Sequence, residues 1–151
     1  MIELPEYAQV IRKLPSGDYA YRQLLPRIEE SPVVRRIESP LTPMGPLLDS
    51  ARVRIKLRDG YCYVDVLIPA IVLSETYYRE ANSLDLYLDL VHELTHLRQL
   101  AEGKNLWDHS LHYVDRTTEI EGYAVAVEEG RRLGMTETLR SRESLREKVR
   151  V

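Results

Sequence analysis

From residue 52 the chain alternates: Val53, Ile55 and Leu57 are apolar, and Arg52, Arg54, Lys56 and Arg58 between them are basic. Period two places the apolar set on one face of a strand and the cations on the other, in solvent. Asp59-Gly60 is a turn signal, and Tyr61 to Ile68 reads as the returning strand of a hairpin that ends at Pro69. Residues 70 to 81 fit either a further strand, Ile71-Val72-Leu73, or a short helix running through Tyr77, Tyr78 and Ala81. After Asn82-Ser83, which offer capping oxygens, Leu84, Leu88, Val91, Leu94 and Leu97 recur at helical spacing, with Asp85 in the first turn. Gly103 is the stop, so the pattern predicts an amphipathic helix over roughly 84–102. A loop rich in His, Asp and Trp follows (104 to 114). A second helix is expected from near Asp115 or Thr117 to about Leu133, and a third, highly charged one over 136–149.

The first 50 residues behave differently. Seven of the eight prolines stand at positions 5, 15, 26, 32, 40, 43 and 46, and each removes a backbone donor and disfavours helix at the residue before it. Only short elements fit, and Ser39 to Pro46 is the best candidate for a linker. The expected organisation is a Pro-rich N-terminal extension, 1–50, packed on or leading into a core, 51–151, that ends in a C-terminal helix. The expected fold class is α+β, a small antiparallel sheet packed on the first long helix and a second, glutamate-bearing one.

With 151 residues and 44% hydrophobic positions, one sizeable core is expected. The balance of 21 basic against 24 acidic residues argues against a nucleic-acid binder, which carries a basic excess. Cys62 is the single cysteine and cannot form an intrachain disulfide, so a cytoplasmic address is expected. The start of the chain has no cationic segment followed by an apolar one, and no apolar run approaches the ~18–20 residues of a membrane span.

The first long helix contains His92-Glu93-Leu94-Thr95-His96. Residues four apart on a helix are separated by about 40° around the axis and one turn along it, so both imidazoles can reach one metal ion. Glu93, beside them, can reach a water at the open coordination position and act as general base. A catalytic zinc site needs a third protein ligand, and the second helix offers Glu119 and Glu121. They lie about 200° apart around a helix, so they cannot both face the ion. Glu119 is preferred, because Gly122 and Ala126 near its face permit close approach of the two helices. Glu121 remains the competitor, with a capping box Thr118-x-x-Glu121 as its structural alternative. Glu128 and Glu129 read as solvated.

A His-Glu-x-x-His helix followed about two dozen residues later by a glutamate opening a second helix resembles the gluzincin metallopeptidases. The short chain, and Tyr113 to Gly122 in particular, resembles their minimal members, the minigluzincins; the resemblance covers roughly residues 53 to 130. It implies a zincin-like fold, Zn²⁺ held by His92, His96 and Glu119, Glu93 as base and acid, and hydrolysis of peptide bonds in a peptide or protein substrate aligned along an exposed strand. Gly122 stands where the family usually has Ala. Tyr123 stands where larger gluzincins often place an Asp that orients a histidine ligand. His109, His112 and Tyr113 are candidate oxyanion donors, Trp107 a packing anchor, and Tyr61 and Tyr63 either cleft or packing residues. The N-terminal 50 residues and the C-terminal helix are candidate covers that would hold such an enzyme latent. The competing expectation is a zinc-stabilised regulatory or protein-binding module without turnover.

Overall fold

The computed structural model describes residues 3–57 and 60–134. The anticipated helix over 136–149, with any covering role for it, and Arg58-Asp59 of the anticipated hairpin turn lie outside the described residues. Among the described residues the architecture is α+β, with one four-stranded sheet and six α-helices. The strands are β1 (Gly17–Ala20), β2 (Arg52–Lys56), β3 (Cys62–Asp65) and β4 (Ala70–Ser74). The helices are α1 (Tyr21–Leu24), α2 (Val33–Ile37), α3 (Met44–Ser50), α4 (Glu75–Glu80), α5 (Ser83–Ala101) and α6 (Thr117–Arg132).

The sheet is mixed, in the order β1-β2-β4-β3, which corrects the expected antiparallel hairpin of residues 52–68. β2 pairs with β1 antiparallel and with β4 parallel, and β3 pairs antiparallel with β4. The physical reason is the apolar run at Ala70–Leu73. All five residues of β4 are buried, and a strand buried on both faces belongs in the middle of a sheet. β4 therefore separates β2 from β3 and leaves β3 at an edge. The ambiguous stretch 70–81 contains both anticipated elements in succession, a strand and then the helix α4, capped where Ser74 Oγ accepts from the Tyr77 amide at 3.2 Å. The alternation in β2 holds for buried Val53 and Ile55. Leu57 lies beyond the strand end and is 80% exposed.

α5 begins where expected: Asn82 Oδ1 accepts from the amides of Leu84 (2.9 Å) and Asp85 (3.4 Å). It ends at Ala101, and Gly103 just beyond has a φ of 82°, the left-handed conformation that glycine adopts without a Cβ penalty. The expected amphipathic character is not observed. Every residue from Leu84 to Gln99 is buried, so α5 is the central helix of the molecule, enclosed on all sides. The sheet covers it through β3 and β4, α6 packs along it, and α2 covers a further side.

The Pro-rich N-terminal part supplies one strand of the sheet and much of this enclosure. Tyr21, Leu24, Leu25 and Ile28 are fully buried, and the Tyr21 hydroxyl donates to the Leu90 carbonyl at 2.9 Å. Ser39 to Pro46, anticipated as a linker, is pinned instead. The Ser39 and Thr42 hydroxyls both donate to Glu102 at the end of α5, and Met44 is buried. No helix among the described residues is long and apolar enough to cross a membrane.

Candidate metal centre

His92, Glu93 and His96 stand mid-helix on α5, and Glu119 stands in the first turn of α6. The helical spacing sets the two imidazoles one turn apart, with ring centroids 4.6 Å apart and planes at 81°. Packing of α6 on α5 then brings the Glu119 carboxylate to both of them. His92 Nε2 and His96 Nε2 are 3.0 Å apart, and Glu119 Oε1 lies 3.0 Å from the first and 2.7 Å from the second. His92, His96 and Glu119 form the group among the described residues whose donor atoms converge closely enough to hold a metal ion. All three are buried.

The donor set fits a cation. Three groups whose natural role toward a metal is to offer a lone pair meet at one point, where they repel one another unless a proton or an ion sits between them. In a tetrahedral site with bonds of 2.0–2.1 Å the donors stand about 3.3 Å apart, only slightly wider than the spacing here. The cradle is shaped for the contact as well. A Cβ built on Gly122 of α6 would lie 3.2 Å from His92 Cε1 and Nε2 and 3.3 Å from His96 Cε1. With no side chain at 122, α6 packs against the two imidazoles without that tight contact.

Electrostatics in the metal-free state follow from the same geometry. Burial disfavours a charged imidazole at His96, but the hydrogen bond it donates to Glu119, the Glu93 and Glu119 charges and the contact to Gln99 outweigh this and push the pKa up to about 9. Burial also disfavours the Glu119 carboxylate, and its hydrogen bonds to His92 and His96 overcome this and hold it far below the ordinary range.

Glu121, the competing ligand, points elsewhere. Its Oε1 accepts from Gln99 Nε2 at 2.7 Å and pairs with Arg98 Nη2 at 2.5 Å. Burial raises its pKa, yet Gln99 and Arg98 together leave it below the usual value. The anticipated capping box with Thr118 is absent: the N-cap position is Arg116, and no side-chain cap forms. Of the two glutamates read as solvated, Glu128 is exposed and pairs with Arg36 at 2.7 Å. Glu129 is 3% exposed and accepts from Tyr87 (2.6 Å), Ser31 (3.1 Å) and both Nε and Nη2 of Arg132 (2.7 Å each). That correction has a topological cause: α2 and the segment before it fold over the far end of α6, so a helix face that looks polar in sequence is covered.

A cleft of about 280 Å³ opens onto the cluster. Glu93, His96 and Glu119 form its polar floor, and Tyr61, Cys62, Tyr63, Val64, Leu106, Trp107 and Tyr113 form its walls. Tyr61 and Tyr63 thus line the cleft, and Tyr61 donates to Asp89, which also accepts from Tyr77. Trp107 is 43% exposed and lines the cleft, with the Arg116 guanidinium over its ring. Of the three candidate oxyanion donors, Tyr113 is buried at the cleft and His109 and His112 are exposed, outside its lining. Sequence reasoning passed over Gln99, which contacts His96; the available signal was its spacing, three residues after His96 on the same helix.

No family model, no curated protein and no solved structure matches this chain in sequence or fold comparisons.

Proposed function

We propose that the protein is a zinc-dependent metallopeptidase with a zincin-like arrangement, in which His92, His96 and Glu119 hold the metal and Glu93 is general base and acid. The observation that carries this reading is the meeting of three buried donor atoms from two helices at the floor of an open cleft, with a further buried carboxylate beside them. Three protein ligands and an approach from solvent are the composition of a catalytic rather than a structural zinc site. When bound, zinc supplies Lewis acidity that lowers the pKa of water toward neutrality and polarises a carbonyl.

The chain's own groups do the rest. Glu93, buried at the cleft floor, accepts the proton of the attacking water and returns it to the departing amine. Among the described residues β3 is an edge strand of the sheet, and its residues Cys62 to Val64 form one cleft wall, so an extended peptide can be taken up as an added strand across the floor. Tyr61 and Trp107 stand on the walls of the cleft, where their rings can pack against the substrate.

The test is cleavage of a peptide library by wild type and Glu93→Gln at equal zinc occupancy. Cleavage by wild type and its loss in the variant are expected. Stoichiometric zinc with no cleavage by either protein would favour a zinc-stabilised module and overturn the peptidase reading.

A further inference from the structure

We propose that Gln99 is the positioning residue of the metal centre, an amide that locks His96 in the tautomer presenting Nε2 to the ion and ties that choice to the start of α6. The inference rests on the metal-centre reading above and adds to it how one ligand is aimed.

Gln99 is fully buried and has three polar contacts: His96 Nδ1 at 2.7 Å, the Thr118 carbonyl at 3.0 Å and Glu121 Oε1 at 2.7 Å. A carbonyl and a carboxylate paired with Arg98 can only accept, so both must face the amide hydrogens on Nε2. The amide therefore cannot turn over, and Oε1 is committed to His96. An acceptor opposite Nδ1 requires a hydrogen there, which leaves Nε2 as the ring nitrogen with a lone pair for the metal. Nε2 is the atom that stands 2.7 Å from Glu119.

The same amide reads the position of the second helix, because Thr118, whose carbonyl it holds, immediately precedes the ligand Glu119. Arg98 extends the chain of contacts: it is 4% exposed and bridges Glu121 to Glu102 at 2.5 and 2.6 Å, and Glu102 is gripped by Ser39 and Thr42. Gln99 performs this aiming without adding a negative charge to a site that already holds Glu93 and Glu119. A carboxylate at 99 would still accept from His96, but it would face the Thr118 carbonyl and the Glu121 carboxylate with no hydrogen to offer. Glu is therefore a poor substitute here, although carboxylates are common partners of metal-bound histidines.

Zinc affinity of the full chain, measured by competition with a chromophoric chelator, tests the proposal on wild type, Gln99→Met and Gln99→Glu, beside thermal midpoints in excess chelator. Both variants are expected to bind zinc roughly 10–100-fold more weakly. A purely structural role would lower the metal-free midpoint and leave zinc affinity of the folded protein untouched, so affinities within twofold of wild type overturn the proposal. Should the variants fail to fold, the zinc-loaded wild type decides by nitrogen-15 NMR. A slowly exchanging hydrogen on His96 Nδ1 is expected, and coordination through Nδ1 or a freely exchanging Nδ1 hydrogen refutes it. A wild type that takes up no zinc defeats the metal-centre reading itself, a result distinct from wild type and Gln99→Met binding alike.

Discussion

The α-carbon hydrogen of Gly122 points at the imidazole of His92, so closely that a methyl group there would sit 3.2 Å from Nε2. Such a contact is tighter than ordinary van der Waals packing, and the ring it meets is fully buried. Gly122→Ala therefore sets two effects against each other: a gain of up to ~1 kcal/mol in helix propensity inside α6, and displacement of both imidazoles. Zinc affinity is expected to fall while the metal-free midpoint changes little. Gly122→Val, with two further methyl groups, is expected to destabilise the protein by ~1–3 kcal/mol and to abolish zinc binding. Chelator competition and thermal melts check both, and a valine variant that binds zinc normally would show that the helices can part without cost.

Metal-free protein and metal affinity respond oppositely to pH. His96 is raised to about 9, so its contribution to stability is complete below 6.5, where the unfolded imidazole is also protonated, and is lost as pH rises through about 9. Glu119 is lowered, so its contribution is complete above 4.5 and is lost only as pH falls below that. In excess chelator the melting midpoint is expected to decline from pH 6.5 to pH 9. Zinc affinity is expected to rise over the same interval, because the ion competes with the His96 proton. A flat chelator series would mean that the pair contributes nothing to the fold.

At the far end of α6, Glu129 joins three elements at once: Tyr87 on α5, Ser31 before α2, and Arg132 on its own helix. Burial and the Glu129 charge push the Tyr87 phenol well above its ordinary pKa, so it stays a donor to that carboxylate. Glu129→Ala removes the acceptor shared by the buried Tyr87 and Ser31 hydroxyls, which are left with only each other at 2.9 Å, whereas Arg132, partly exposed, can turn to water. A loss of ~2–3 kcal/mol is expected by denaturant titration, from two or more broken buried hydrogen bonds. Zinc affinity should be unchanged, since Glu129 stands ten residues beyond Glu119. A large drop in affinity would show that this end of the helix governs the site.

The cleft wall offers a test of the substrate path. Trp107 lines the cleft and is nearly half exposed, with Arg116 stacked 6.0 Å from its ring centre. Trp107→Ala should move the melting midpoint little and raise KM about 2–10-fold, the value of one aromatic contact. A change in kcat with KM unaltered would place the residue outside the binding path.

The sequence by itself determined what lies within reach of one helix turn. Asn82 and Gly103 bound α5 as read, because caps and left-handed stops are local chemistry, and the four-residue spacing of His92 and His96 puts two imidazoles on one face of any helix they occupy. Glu119 was legible only as a preference over Glu121, through the small residue at 122. Tertiary structure alone decided the remainder. Strand order was hidden because period-two alternation reports which face is buried and says nothing of which neighbour pairs; the burial of β4 on both faces put it between β2 and β3. The enclosure of α5 was hidden because a polar side chain satisfied by a partner from another element looks, in sequence, like one satisfied by water. Asp89, Gln99 and Glu129 are all of this kind: their partners, Tyr61, Thr118 and Tyr87, come from elements whose approach is set by the packing of the whole chain.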